Sequence, residues 1–202
     1  MTNENGKRRK LPPGQRPIKS LLRWGIDHPG ITRSNPKIDV RTYCLEVGGE
    51  VENPVKLDWN SILALPRVQS VSDFHCVEGW SVLDCKWEGV RFTQIMKLVS
   101  PRETAKFVTF ECADGYTTSF STEELRGDDV LLAYGLNDKP LEEGIGFPLR
   151  LVVPNKYGYK SALWVTRIRF TAKKELGYWE KLGYSDTADV WTNDRYARQM
   201  TR

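Results

Sequence analysis

The 202-residue sequence has no apolar run near the roughly 18 residues that a membrane-spanning helix requires. Its start, MTNENGKRRKLPPGQRP, has basic residues with no apolar segment behind them. Neither a secretory nor a twin-arginine signal is read there, and the chain is expected in the cytoplasm. Histidine is scarce: His28 and His75 are the 2 present, and neither stands at finger spacing from a cysteine pair, which argues against zinc. The 4 cysteines, at positions 44, 76, 85 and 112, include no CxxC pair, no heme-attachment CxxCH and no iron–sulfur run. They read as free thiols in a reducing compartment, and no redox centre is built from them alone. No internal repeat and no regular βαβ alternation is visible.

With 40% hydrophobic and 11% aromatic residues, the chain can bury one substantial core. The net charge of +4 comes largely from the first segment, where Lys7, Arg8, Arg9, Lys10, Arg16 and Lys19 cluster among prolines and glycines. A solvated, mobile terminus is the preferred reading of that cluster, ahead of a nucleic-acid-binding arm, and no nucleic acid partner is expected. The division is therefore a basic Pro/Gly-containing arm over 1–35 and one domain over 36–202.

Local signals give an α+β domain of mixed β-sheets with short helices, its function carried on loops. Val40–Val47 alternates as a half-buried strand and meets the Gly48-Gly49 turn. Asp58 caps a short helix running through Leu65, and a second helix is expected over 93–99. Strands are expected at 106–112 and 116–120 around an Ala113-Asp114-Gly115 turn, with Ser121 and Glu124 forming a capping box. Further strands fall at 130–134, 149–153 and 162–170.

The stretch VSDFHCVEGWSV (71–82) places Cys76 where a strand ends and the chain turns at Gly79, a common position for a site. By residue type alone a free cysteine is most often a small buried hydrophobe. Arg150 interrupts an apolar strand in PLRLVVP, and burying a guanidinium without an anion is costly, so an anionic partner is expected. Lys160 and Ser161, after the Tyr157-Gly158-Tyr159 turn, can complete an anion site. His28 reads equally as a structural residue or as a hydrogen-bonding contact, and for His75 the hydrogen-bonding contact is the preferred reading. Trp80, Trp87 and Trp164 read as wall and core.

Five ordered segments carry a resemblance: DFHCVEGWSVLDCKWEGV (73–90), DGYTTSF (114–120), LLAYGLNDKPL (131–141), FPLRLVVPNKYGYKSALW (147–164) and the aromatic tail over 177–196. Together they resemble the small heme-free members of the sulfite oxidase family, molybdopterin-dependent oxidoreductases. The resemblance implies a molybdenum–molybdopterin cofactor with Cys76 as the thiolate on the metal. It also implies cofactor contacts from His28, His75, Arg150, Lys160 and Ser161, with Cys112 lining the pocket. Cys44 and Cys85 are expected to pack. Two positions depart from the family pattern: Ile145 stands where relatives carry His or Asn, and Leu163 where they carry Lys.

The implied activity is two-electron oxo transfer, exchanged with a separate electron donor or acceptor. Reduction of an S-oxide or N-oxide is favoured over sulfite oxidation, because Val77-Glu78-Gly79-Trp80 beside the cysteine is apolar and acidic where a dianion would need cations. The rival reading is a non-enzymatic binding module that keeps the scaffold with altered or lost cofactor binding.

Overall fold

The computed structural model describes residues 10–31 and 35–197. In chain order the elements are β1 (Arg16–Ile18), β2 (Cys44–Gly49), β3 (Val55–Asp58), α1 (Trp59–Leu63), β4 (Arg67–His75), β5 (Trp80–Arg91) and α2 (Phe92–Val99). There follow β6 (Phe107–Cys112), β7 (Thr117–Ser121), β8 (Leu131–Leu136), β9 (Lys139–Pro140), β10 (Arg150–Val152), β11 (Val165–Thr171) and α3 (Tyr178–Lys181). Short 3-10 turns lie at 123–125, 143–145 and 158–160.

Alternation decides the first hairpin. Leu45 and Val47 turn inward while Cys44 and Glu46 turn outward, and β2 pairs antiparallel with β3 in the register Leu45↔Leu57. Cys44, expected to pack, is exposed for this reason: with Tyr43 and Leu45 facing the core, the residue between them must face water. β2, β3, β11, β6 and β7 form one sheet in the order β3-β2-β11-β6-β7, with β2 and β11 parallel. The inner faces of this sheet and α2 bury Phe92, Phe110, Phe120 and Phe170; the Phe110 ring lies 5.4 Å from Phe92 and 5.8 Å from Phe120. Asp58 caps α1 by accepting from Ser61 N at 2.8 Å, and the Ser121–Glu124 box forms, with Ser121 N donating to Glu124 Oε2 at 2.7 Å.

The other sheet is organised by β5, the longest strand at 12 residues. β4 runs antiparallel along one edge of it; β8 and β1 share the other, β8 against its end and β1, parallel, against Trp80–Val82. The expected arm is corrected here. Lys7, Arg8 and Arg9 lie outside the described residues, but from Lys10 onward the segment follows the domain, and Arg16–Ile18 is a strand rather than a solvated terminus. Three backbone pairings and the partial burial of Ile18 against the apolar cluster around Trp80 and Trp87 offset the chain entropy that the basic composition was expected to keep.

Phe110→Ala is expected to lower the unfolding free energy by about 3 to 5 kcal/mol, since it empties a ring-sized volume between Phe92 and Phe120. Urea titration reads this directly; a loss below about 1 kcal/mol would mean that the core closes around the gap.

Candidate functional site

β4 and β5 are joined by a tight turn that displays Cys76. Cys76 N donates to Trp80 O at 2.8 Å, and Gly79 N donates to Cys76 O at 3.0 Å. Gly79 has φ +97, and a Cβ there would lie 2.9 Å from Gly14 O, so both conformation and space require glycine. Cys76 is 7% exposed and lines a cavity walled by six aromatic rings, those of Trp24, Phe74, Trp80, Tyr159, Trp179 and Tyr184. His28 and Glu78 are the ionisable partners at its edge: His28 Nε2 and Glu78 Oε1 are 2.9 Å apart. Glu78 Oε2 accepts from Trp80 Nε1 at 3.2 Å and lies 3.9 Å from Cys76 Sγ. Burial pushes the Cys76 thiol up to about 12. For Glu78 burial raises the pKa, and the hydrogen bonds from His28 and Trp80 outweigh it, leaving the carboxyl below its ordinary range.

A second cavity adjoins the first, sharing Trp24, Gly158, Tyr159 and Trp179 with it. The two hold about 450 and 500 Å³ of space, open solvent included, and form one slot leading from Cys76 towards Asp114, Ser161, Leu163 and Trp164. Asp114 is half-buried, and burial raises its carboxyl pKa. Gly158 keeps the slot open, because a Cβ there would lie 2.3 Å from the Phe74 ring.

The structure brings Cys76, His28 and Ser161 to this slot and places the other expected residues around it. His75 is buried behind the cysteine turn, with Nδ1 2.7 Å from Ser81 Oγ. Ser161 lines the second cavity, but its Oγ accepts from Val153 N at 3.0 Å and so also fixes the loop. Cys112 is corrected: it is buried in the core cluster with Tyr43 and Tyr116, and lines neither cavity. Cys85 packs as expected, beside Trp87.

Arg150 is fully buried, but it meets main-chain carbonyls where an anion was expected. Nη1 donates to Ile145 O at 3.0 Å, Nη2 to Ser161 O at 3.2 Å and Nε to Leu151 O at 3.5 Å. The guanidinium also lies 5.2 Å from the Phe74 ring centre and 5.1 Å from that of Trp87. Burial lowers its pKa to about 10, and no carboxylate among the described residues pairs with it. Lys160 is a correction of another kind. Its ammonium turns away from the slot and is spent on Glu180 Oε1 at 2.6 Å, Ser119 O at 2.7 Å and Asp186 Oδ1 at 3.5 Å. With three donors and three acceptors, it has nothing left for an external anion.

Residue reasoning missed Trp24, Asp114, Tyr159, Trp179 and Tyr184. The tail aromatics stood only as part of a resemblance, Trp24 fell in the supposed arm, and Asp114 read as a turn residue. No local pattern signals that these converge.

The residues fit the implied cofactor. A soft sulfur at one end, aromatic walls and a buried carboxyl further along suit a planar group carrying both a metal and hydrogen-bonding ring edges. Leu163 and Ile145 leave the far end without a side-chain cation of its own, so Arg150, 3.2 Å from the Ser161 carbonyl, is the nearest candidate for a phosphate's charge.

The family model described as the oxidoreductase molybdopterin binding domain matches residues 32–179. The chain is 39% identical over 158 residues to the oxidoreductase YuiH of Bacillus subtilis (strain 168), covering 78% of this chain and 80% of that protein. It is 32% identical over 183 residues to the protein-methionine-sulfoxide reductase catalytic subunit MsrP of Xanthomonas axonopodis pv. citri (strain 306), covering 83% of this chain and 56% of that one. The chain thus spans little more than half of that relative. Among solved structures, the sulfane dehydrogenase SoxCD of Paracoccus pantotrophus superposes with a TM-score of 0.67 at 23% identity, over 79% of this chain and 47% of that one, which establishes a shared fold.

Breaking the Lys160–Glu180 pair from one side is expected to cost more than replacing both members. Lys160→Met should destabilise by about 3 to 5 kcal/mol by leaving a buried carboxylate, and Glu180→Leu added to it should recover part of that loss. A double-mutant cycle in urea reads the coupling; additive losses would show that the pair is not coupled.

Proposed function

The chain belongs to the oxidoreductase molybdopterin-binding domain family, the molybdenum-dependent oxidoreductases of the sulfite oxidase family, and on that premise we propose that it reduces S-oxides, with N-oxides as the sister class, using a molybdenum–molybdopterin bound through Cys76. The observation that carries the direction is the lining around Cys76: six aromatic rings, a carboxylate, and neither lysine nor arginine. A sulfite dianion entering there would meet Glu78, with His28 already paired to that carboxylate and no lysine or arginine in the lining. A neutral S-oxide with apolar substituents meets matching walls. S-oxide reduction is also what the name of the MsrP relative states of that protein.

A molybdenum–molybdopterin held here would supply two-electron oxo-transfer chemistry. The protein's own residues do the rest. Cys76 would hold the metal through its sulfur, the soft ligand suited to a metal that the pterin also holds by sulfur. Trp24, Trp80, Trp179 and Tyr184 exclude water and hold the substituents on sulfur. In the overall reaction the S–O bond breaks, two electrons and two protons are consumed, and the oxygen leaves as water. Glu78 and His28, joined at 2.9 Å and partly open to solvent, stand where those protons enter. The electrons come from a separate carrier, since the sequence has no heme, flavin or cluster motif of its own. No helix among the described residues is long and apolar enough to cross a membrane.

The test uses protein from a molybdenum-competent host, assayed for metal and pterin and then for turnover. Oxidation of reduced viologen by methionine sulfoxide or dimethyl sulfoxide is expected, with no reduction of ferricyanide by sulfite; the opposite pattern sinks the assignment. Cys76→Ser is expected to fall to background with its melting temperature retained, whereas Cys85→Ser stays close to wild type. Arg150→Ala is expected to lose pterin on dialysis: it removes the nearest buried cation and frees the carbonyls of Ile145 and Ser161, a change of about 2 to 5 kcal/mol. Wild-type pterin content in that variant would place the phosphate elsewhere.

A further inference from the structure

The family model covers 32–179, yet the turn that displays Cys76 is held from outside that range on both sides. We infer that Gln15, from the N-terminal segment, and Arg195, from the C-terminal tail, are positioning residues that clamp the 76–79 turn and so set the orientation of the Cys76 side chain. The inference rests on the assignment of Cys76 to the metal.

Three carbonyls of the turn are taken by these segments. Gln15 Nε2 donates to Cys76 O at 3.0 Å, Arg16 N donates to Gly79 O at 2.9 Å, and Arg195 Nη1 donates to Val77 O. Neither side chain hangs free. Gln15 Oε1 accepts from Ser81 Oγ at 2.9 Å, and Ser81 Oγ lies 2.7 Å from His75 Nδ1. Because the Ser81 proton is committed to Gln15, His75 Nδ1 is the donor in the second contact. One hydrogen-bonded run thus joins the residues flanking the turn, His75 and Ser81, to the carbonyl of Cys76. Arg195 is seated over the Tyr157 ring at 5.2 Å, its Nε donates to Asn193 Oδ1 at 2.8 Å, and Asn193 Oδ1 also accepts from Tyr157 Oη at 3.0 Å.

The clamp has a reason to exist. A turn with a glycine at φ +97 and two internal backbone hydrogen bonds is held from within at few points, and its remaining freedom would let the thiol change direction. Fixing the carbonyls of Cys76, Val77 and Gly79 removes that freedom. Both segments also meet each other here: a Cβ on Gly14 would lie 3.0 Å from Arg195 Nη2, so the two termini close over the turn together. Neither Gln15 nor Arg195 lines the slot, so neither is a catalytic residue.

The experiment compares wild type with Gln15→Ala, Arg195→Ala and Arg195→Lys, all as the loaded protein, and repeats the series in protein from a host unable to make molybdopterin. In loaded protein the molybdenum and pterin content should stay at the wild-type level. kcat should fall several-fold with little change in KM, and the Mo(V) electron paramagnetic resonance signal should shift in both alanine variants. Arg195→Lys, which keeps a donor for Val77 O, should restore the wild-type signal. In cofactor-free protein, carbamidomethylation of Cys76 by iodoacetamide, followed by mass spectrometry, should be several-fold faster in both alanine variants. Should an alanine variant fail to fold, Gln15→Glu serves, since it keeps the side-chain shape and removes the donor to Cys76 O. A wild-type Mo(V) signal together with a wild-type alkylation rate overturns the clamp. A Mo(V) signal unchanged by Cys76→Ser would overturn the ligand assignment instead, and the alkylation rates would still decide the clamp.

Discussion

The arrangement depends on one buried cation. Arg150 is 2% exposed, has no carboxylate partner among the described residues, and would be costly to bury alone. Three carbonyls and two aromatic faces offset that cost, and two of the contacts, Ser161 and Phe74, belong to the lining of the slot. Ile145 O belongs to the 3-10 turn after β9, Ser161 O to the loop after Gly158, and Phe74 to the end of β4 immediately before the cysteine turn. The guanidinium therefore fixes the distance between the wall that carries Cys76 and the loops that carry Ser161 and Leu163. A fork of five N–H donors can do this; a lysine, with a point charge and three donors, could not reach the same carbonyls in one plane.

Lys160 shows the alternative solution to the same problem. It sits one residue from Ser161, is equally buried, and is neutralised by Glu180 from α3, with the Phe120 ring 4.6 Å away. Burial lowers its pKa and the Glu180 carboxylate works against that shift. This pair ties α3 to the loop, and α3 brings Trp179 into the slot. Charge placed at Lys160 is thus used for architecture, which leaves the surroundings of Cys76 aromatic and acidic. The low positive charge at the site is a consequence of where the cations lie, and the proposed preference for an uncharged S-oxide over an oxyanion rests on it.

Much of this was legible in the residues. The hairpins at Gly48-Gly49 and Ala113-Asp114-Gly115, the Asp58 cap and the Ser121–Glu124 box are local, and local chemistry decided them. Cys76 at the end of β4 was legible too, because a strand signal and a glycine turn bracket it. The strand β5 was not read, although it is the longest: its exposed face is charged, Asp84 takes φ +54, and Gly89 breaks the alternation where a Cβ would meet Leu132 O at 2.2 Å. β1 was hidden by composition, since a basic, proline-containing stretch reads as solvated until the strand edge it pairs with is known. Lys160 was misread for the same reason. A cation after a turn looks like an anion contact when its partner, Glu180, stands 20 positions away with nothing in the sequence to link them.

The two terminal segments carry this point into function. Chain ends are ordinarily the least stable parts of a domain, where fraying begins. Here residues 14–16 and 193–195 lie on the turn that holds the thiol, and they also contact one another through Gly14 and Arg195. A side chain committed to a metal must keep one orientation, but the turn that carries it gets two backbone hydrogen bonds from within itself. Strand pairing cannot supply more, because the pairing of β4 with β5 ends at His75↔Ser81. The remaining carbonyls must find donors from elsewhere or from water, and water would leave the turn free to move. Donors from the chain ends meet that need without entering the slot, so the geometry of the thiol is set by segments that make no contact with the substrate.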